Sequence, residues 1–259
     1  MKLKLVQSAD TGHEMICDEY LASEFNALDD VFKAIEEFDT KHPNHLGLAT
    51  LDDLGQAQYT SMHATMSNNL DDTENHDLSS VDSSAFEGEE HIGYLSTKSE
   101  FFIREKNFLV KADPITFSDV CQEGLTIDDD EISTLEKIHT VPLDYIDSEI
   151  LIKIVPVKSS ALTLSAFPNG YFSCDLGPFD NYALAKHLDE KFGYKLFGIG
   201  ASLIGFKRAN NLDGGSSYEL GIDIAALYNR NSEKLVVERF SNIAQKYNFL
   251  FLKYVEYLE

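Results

Sequence analysis

Residues 178–208 read PFDNYALAKHLDEKFGYKLFGIGASLIGFKR, and this stretch decides the fold class. Leu184, Leu188 and Phe192 recur at helical spacing behind a cap at Asp180 or Asn181, and Gly193 stands where a helix ends. Two short apolar runs follow, YKLFGIG and SLIGFKR, which read as paired strands. Leu212-Asp213-Gly214-Gly215 then makes a turn, and a helix is expected over Tyr218–Leu227. Leu235, Val236, Phe240, Ile243, Ala244 and Tyr247 mark another helix, and Phe249–Val255 closes as a buried strand. Helix, strand, strand, helix, helix, strand is the order of an α+β domain, a mainly antiparallel or mixed sheet with helices on one face.

Working outward toward the N-terminus, Ile150–Val157 (ILIKIVPV) is rich in β-branched residues and reads as a strand. Asp128-Asp129-Asp130-Glu131 precedes Ile132, Leu135 and Ile138, which predicts a helix with an acidic first turn. HIGYLST from His91, then EFFIRE and FLVKAD around a turn near Lys106-Asn107, read as strands. Tyr20, Leu21, Phe25, Leu28, Val31, Phe32, Ile35 and Phe38 predict one or two amphipathic helices within 18–39, ended by Lys41-His42-Pro43-Asn44. Met1–Val6 alternates Lys and Leu like a short edge strand. Two α+β domains are expected, residues 1–157 and 158–259.

Charge separates the same two parts. The 259 residues hold 21 Lys and Arg against 44 Asp and Glu, a formal net charge of −23. Residues 1–150 carry −24 of it and residues 151–259 carry +1. No Lys or Arg occurs between Lys41 and Lys98, while Asp52, Asp53, Asp71, Asp72, Glu74, Asp77 and Asp82 all fall there. Within that window residues 67–90 (SNNLDDTENHDLSSVDSSAFEGEE) have few apolar side chains, so a mobile acidic loop is expected. Two uses for these acids stay open: solubility and capping, or a surface that docks a basic protein or imitates polyphosphate. Such a balance argues against nucleic acid and anionic membrane as partners, since both need a positive footprint.

No apolar run reaches the roughly 18 residues of a membrane span. MKLKLVQSADTG has no apolar core of a leader peptide. Cys17, Cys121 and Cys174 are odd in number and far apart, which argues against a disulfide framework or a Cys-x-x-Cys metal site. A cytoplasmic, bacterial protein is expected.

Motifs for chemistry are incomplete. Gly198-Ile199-Gly200 would need a glycine at 203 for the dinucleotide fingerprint, and Leu203 stands there ahead of a strand rather than a helix. Glycines in strands more often mark close backbone approach, and no cofactor is expected. Cys174 and His187 are the candidate catalytic pair, a thiol with a base thirteen residues on, although the apolar flanks of Cys174 also suit an inert thiol. Asp39, His42 and His45 lack a helical H-E-x-x-H pair, and Asp71–Asp82 has His76 where a calcium loop needs glycine, so no metal is expected. Phe167, Tyr171, Phe172 and Phe179 cluster around Pro168, Gly170 and Pro178, suited either to plugging a seam between the two parts or to anchoring a partner.

Residues 171–208, with their amphipathic helix, the aromatic-Gly-aromatic exit Phe192-Gly193-Tyr194 and the strand pair, resemble a class of small bacterial domains of unknown function. The resemblance covers about 100 C-terminal residues. Some such domains are associated with toxin–immunity systems, which implies an interaction role. The sequence therefore leads to a non-catalytic interaction protein that neutralises a basic partner, immunity-like or a nucleic-acid mimic. Its contacts would be Asp52, Asp53, Asp71, Asp72, Glu74, Asp77, Asp82, Phe172 and Phe179. The alternative is a small-molecule-binding module or hydrolase with its site near Cys174 and His187.

Overall fold

A computed structural model describes residues 1–6, 15–231 and 233–258; residues 7–12 of the N-terminal stretch quoted above lie outside them. Seven strands form one mixed sheet in the order β1-β2-β6-β3-β7-β8-β9. They are β1 (Lys2–Leu5), β2 (Asp18–Ser23), β3 (Leu46–Thr50), β6 (Glu149–Val155), β7 (Lys195–Ile199), β8 (Leu203–Lys207) and β9 (Phe249–Lys253). The two-residue strands β4 (Phe86–Glu87) and β5 (Glu90–His91) make a separate small hairpin. Every neighbouring pair in the large sheet is antiparallel except β3 with β7. That parallel pair carries the sheet across the 157/158 boundary, so the acidic and neutral parts share one sheet and one buried apolar cluster.

The helices are α1 (Leu28–Lys41), α2 (Leu54–Ser67), α3 (Phe101–Ala112), α4 (Phe117–Val120), α5 (Asp129–Thr140), α6 (Pro178–Phe192), α7 (Gly214–Leu227) and α8 (Lys234–Lys246). The α+β class holds, with helices on both faces of the sheet rather than one. Tyr20 of β2 meets Phe38 of α1 at 4.5 Å, while its neighbours Glu19 and Leu21 point to the opposite face, where α2 stands. Phe32 of α1 packs edge-on against Phe197 of β7 at 4.9 Å.

Several local expectations are corrected, among them HIGYLST, of which only His91 lies in a strand, and the Leu212–Gly215 turn, where Asp213 instead caps α7 from Gly214. Residues 18–23 are strand β2 and not helix: Tyr20 and Leu21 fall on the helical frame of α1 by coincidence, and pairing between β1 and β6 takes them. Residues 101–112 are one helix, not two strands, because Phe101, Arg104, Phe108 and Ala112 bury one helical stripe. The helix 178–192 starts one turn earlier than Asp180: Gly177 is the cap, Pro178 opens the first turn, and the Asp180 carboxylate accepts from Gly177 N at 2.9 Å. Asp128 does cap α5, accepting from Glu131 N at 2.8 Å.

Residues 67–90 are tied down at several points. Asn107 of α3 donates to the carbonyls of Leu70 (3.0 Å) and Asp72 (2.8 Å) and meets His76 at 2.9 Å. Leu70 and Ala85 are buried, and Asp82 N donates to Ser99 Oγ at 2.8 Å. Many of the polar residues that suggested mobility make turns. No helix among the described residues is long and apolar enough to cross a membrane.

The outer edge of β9 is sealed by side chains. Phe251 N donates to His139 Nε2 at 2.9 Å, while His139 Nδ1 donates to Leu135 O at 2.7 Å. Tyr228 OH accepts from Lys253 N (3.1 Å) and donates to Lys253 O (2.9 Å). His139 must be neutral to accept the strand amide, and burial pushes its pKa down to about 4 from 6.5. Between those values only the unfolded chain takes up the proton, so stability falls as pH drops from about 6.5 toward 4. Urea unfolding at pH 7 and pH 4 measures this: wild type is expected to lose about 3 kcal/mol more than His139→Gln across that interval.

Candidate functional site

The sheet face opposite α1 forms the floor of a cleft of about 990 Å³. Its floor is Glu19 and Leu21 of β2 with Leu151 and Lys153 of β6. One wall is α2, through Tyr59, Met62 and Met66; Phe167 stands at the back. Asp71, Tyr94, Leu95 and Arg104 close the other side, and Cys17 lies at the base.

Two ion pairs are built into this cleft. Glu19 and Lys153 face each other directly across β2 and β6, and Lys153 Nζ donates to Glu19 Oε1. The same ammonium sits 5.2 Å from the centre of the Phe167 ring, a cation–π distance. Arg104 Nε donates to Asp71 Oδ1, and its Nη1 to Thr65 Oγ1 at 3.4 Å. Lys153 and Arg104 are 8% and 9% exposed, and burying such charges is tolerated only when each is paired. Burial pushes the Cys17 thiol up to about 11, against the pull of Lys153 and Arg104.

The arm that carries Tyr94 and Leu95 is fixed by a buried carboxylate. Glu100 accepts from Ser96 N (2.9 Å), Thr97 N (2.7 Å), Thr97 Oγ1 (2.9 Å) and His91 Nε2 (2.6 Å). These bonds outweigh its burial and hold its carboxyl below the usual range. Thr97 and Glu100 form a capping box, the sequence signal for α3.

Above the cleft α2 presents an exposed apolar stripe. Tyr59, Met62, His63 and Met66 share one helical face, and Tyr59, Met62 and Met66 are 47%, 51% and 64% exposed. The stripe continues through tilted and edge-on ring contacts, Tyr59 to His63 at 4.3 Å, His63 to Tyr171 at 4.9 Å and Tyr171 to Phe172 at 5.7 Å. Phe172 is thus on an exposed rim. Phe179 is half-buried against Phe108 at 5.3 Å and Phe167 is buried, so the aromatic quartet divides into two residues packed on the core and two on the surface.

The acids divide as well. Asp52 is engaged inside the fold: its carboxylate accepts from Ser202 N (2.8 Å), Leu203 N (3.1 Å) and Ser202 Oγ. Burial still pushes its carboxyl above the usual range. A Cβ on Gly200 would stand 2.0 Å from Asp52 Oδ1, which explains that glycine as a close-approach residue. Asp53 caps α2 through Gln56 N at 3.0 Å, and Asp71 holds Arg104. Asp72, Asp77 and Asp82 accept from Glu74 N, Ser79 N and Ser84 N at 2.9, 3.0 and 2.9 Å, yet stay exposed beside exposed Glu74. Backbone donors keep the Asp77 and Asp82 carboxyls below the usual range, so both remain ionised.

Cys174 and His187 are not joined by a hydrogen bond. Cys174 is exposed with Ser173 Oγ 3.9 Å from its sulfur. His187 Nε2 pairs with Asp223 at 2.7 Å, and its ring stacks on Phe117 of α4 at 3.9 Å. All three cysteines are free thiols, and among the described residues no group of three or more His, Cys, Asp or Glu is placed to hold a metal ion.

No protein-family model matches the chain, and neither a curated protein nor a solved structure is significantly similar to it.

Two outcomes follow from this geometry. Asp52→Ala leaves two strand-turn amides without their acceptor and is expected to cost about 2–3 kcal/mol in urea unfolding. Ellman's reagent under native conditions is expected to titrate Cys174 first, a rapid phase that Cys174→Ser abolishes, because burial raises Cys17 and Cys121 to about 11.

Proposed function

We propose that this chain is a cytoplasmic, bacterial, non-catalytic interaction protein that captures and neutralises a basic protein. An immunity-like role or nucleic-acid mimicry is its concrete form. The observation that carries the reading is the exposed Tyr59–Met62–Met66 stripe, continued through His63 and Tyr171 to Phe172. Monomeric surfaces rarely leave such contiguous apolar area open without a use. Methionines adapt to varied apolar surfaces, and aromatic rings supply anchors with few rotatable bonds.

Charge selects the partner. The segment that leaves the C-terminal end of α2 carries exposed Asp72, Glu74, Asp77 and Asp82, none with a cation partner among the described residues. Turn bonds to backbone amides hold the three aspartates in place without neutralising them, so the field they create is preorganised. A basic amphipathic segment fits this combination, its apolar side on the Met–Tyr stripe and its cations toward the acids.

Immobilised full-length protein, with a Met62→Ser/Phe172→Ser variant as matched bait, tests this. The probe is a labelled amphipathic Lys/Leu helix, with polylysine of equal charge as control. The wild type is expected to bind the amphipathic helix about ten-fold more tightly than polylysine, with affinity that falls as salt rises and is lost in the variant. Equal affinity for both peptides, or binding untouched by salt and by the substitutions, overturns the proposal.

A further inference from the structure

The interior of the cleft carries features that a protein-docking rim does not use. Arg104 is nine-tenths buried, with Nε on Asp71 and Nη1 on Thr65, and its Nη2 has no hydrogen-bond partner among the described residues. That atom is not among the sealed, unpartnered polar atoms of the described residues, so it keeps some exposure, and Arg104 is a lining residue of the cleft. Lys153 uses one of its three donors on Glu19. Glu19 and Asp71 each hold their cation through one oxygen, leaving Oε2 and Oδ2 free. Two cations and two carboxylates thus sit mutually paired in the cleft, which Lys4 lines as well, and each of the four keeps an unused hydrogen-bonding position. Leu21, Leu151 and Phe167 supply apolar surface between them.

Each of these two pairs is internally compensated, and neither by itself attracts a simple anion or a simple cation. Together they match a ligand that carries both charges. We propose that the cleft binds a zwitterion with an apolar body, an apolar α-amino acid or a short apolar peptide. Its carboxylate meets Arg104 Nη2 and the spare donors of Lys153. Its ammonium meets the free oxygens of Asp71 or Glu19, and its side chains lie on Leu21, Leu151 and Phe167. A volume of about 990 Å³ admits either source. This site lies beneath the proposed protein-docking rim, with Tyr59, Met62 and Met66 common to both, and its test needs no protein partner.

Calorimetric titration of the full-length protein with phenylalanine and with the tripeptide Leu-Phe-Leu distinguishes amino acid from peptide. The N-acetyl and C-amide forms of each remove one charge at a time. At least one free zwitterion is expected to bind about ten-fold more tightly than both of its blocked forms. Arg104→Lys keeps a cation opposite Asp71 but loses the fork, and is expected to weaken the free carboxylate ligand about ten-fold while leaving its C-amide unchanged. Lys207→Gln, outside the cleft, is expected to change nothing. Blocked and free forms that bind alike, or no binding by any probe, overturn the proposal. If Arg104→Lys fails to fold, the ligand series on wild type decides alone.

Discussion

The Asp52 carboxylate is the constraint on which the rest of the structure depends. It sits just past β3 and accepts both backbone and hydroxyl donors from the turn between β7 and β8, about 150 positions away in sequence. Ala201 N returns a bond to Asp52 O at 2.9 Å, and a side chain at Gly200 would close the space. This clamp fixes β3 beside β7 and makes one sheet from an acidic part and a near-neutral one. Without it the cleft loses its frame, because α2 leaves the sheet immediately after Asp52 and Asp53. Leu54 N, the first amide of that helix, is held by Asp147 Oδ2 at 2.7 Å.

The acidity of the first part has two uses that composition cannot separate. Asp52, Asp53, Asp71 and Glu100 are structural acceptors, each spent on a turn, a cap or a cation. Asp72, Asp77 and Asp82 also accept backbone donors, but they do so from exposed turns with their carboxylates toward water. Local order and surface field are therefore compatible in one segment. The interaction reading rests on that second group and on the neighbouring apolar rim, while the ion pairs of the cleft floor point to a smaller ligand beneath it.

Legibility in the sequence followed the distance over which the deciding contacts act. From Asp180 onward, periodicity and turn residues give the order and type of α6, β7, β8, α7, α8 and β9, while α6 and α7 begin about one turn earlier than their apolar spacing shows, α7 at Gly214 behind an Asp213 cap. Phe101-Phe102-Ile103 imitates a strand, and only the Thr97–Glu100 capping box corrects it. Helix α2 escaped notice because its buried face is small and polar (Ala57, Thr60, Ser61, Ala64, Thr65) and its large side chains face water, the inverse of a core-seeking helix. The cleft was invisible for a different reason. Glu19 meets Lys153 across 134 positions and Asp71 meets Arg104 across 33, and no local pattern announces either pair.

That one sheet unites both parts is the claim on which the cleft and its rim depend, and native-state hydrogen exchange tests it most directly. The account predicts that the most protected amides of β3 (Leu46–Thr50) and β7 (Lys195–Ile199) exchange through the same global opening, with equal free energies and equal denaturant slopes. Exchange of either strand through a separate opening, with lower free energy and a smaller slope while the other stays protected, would contradict it.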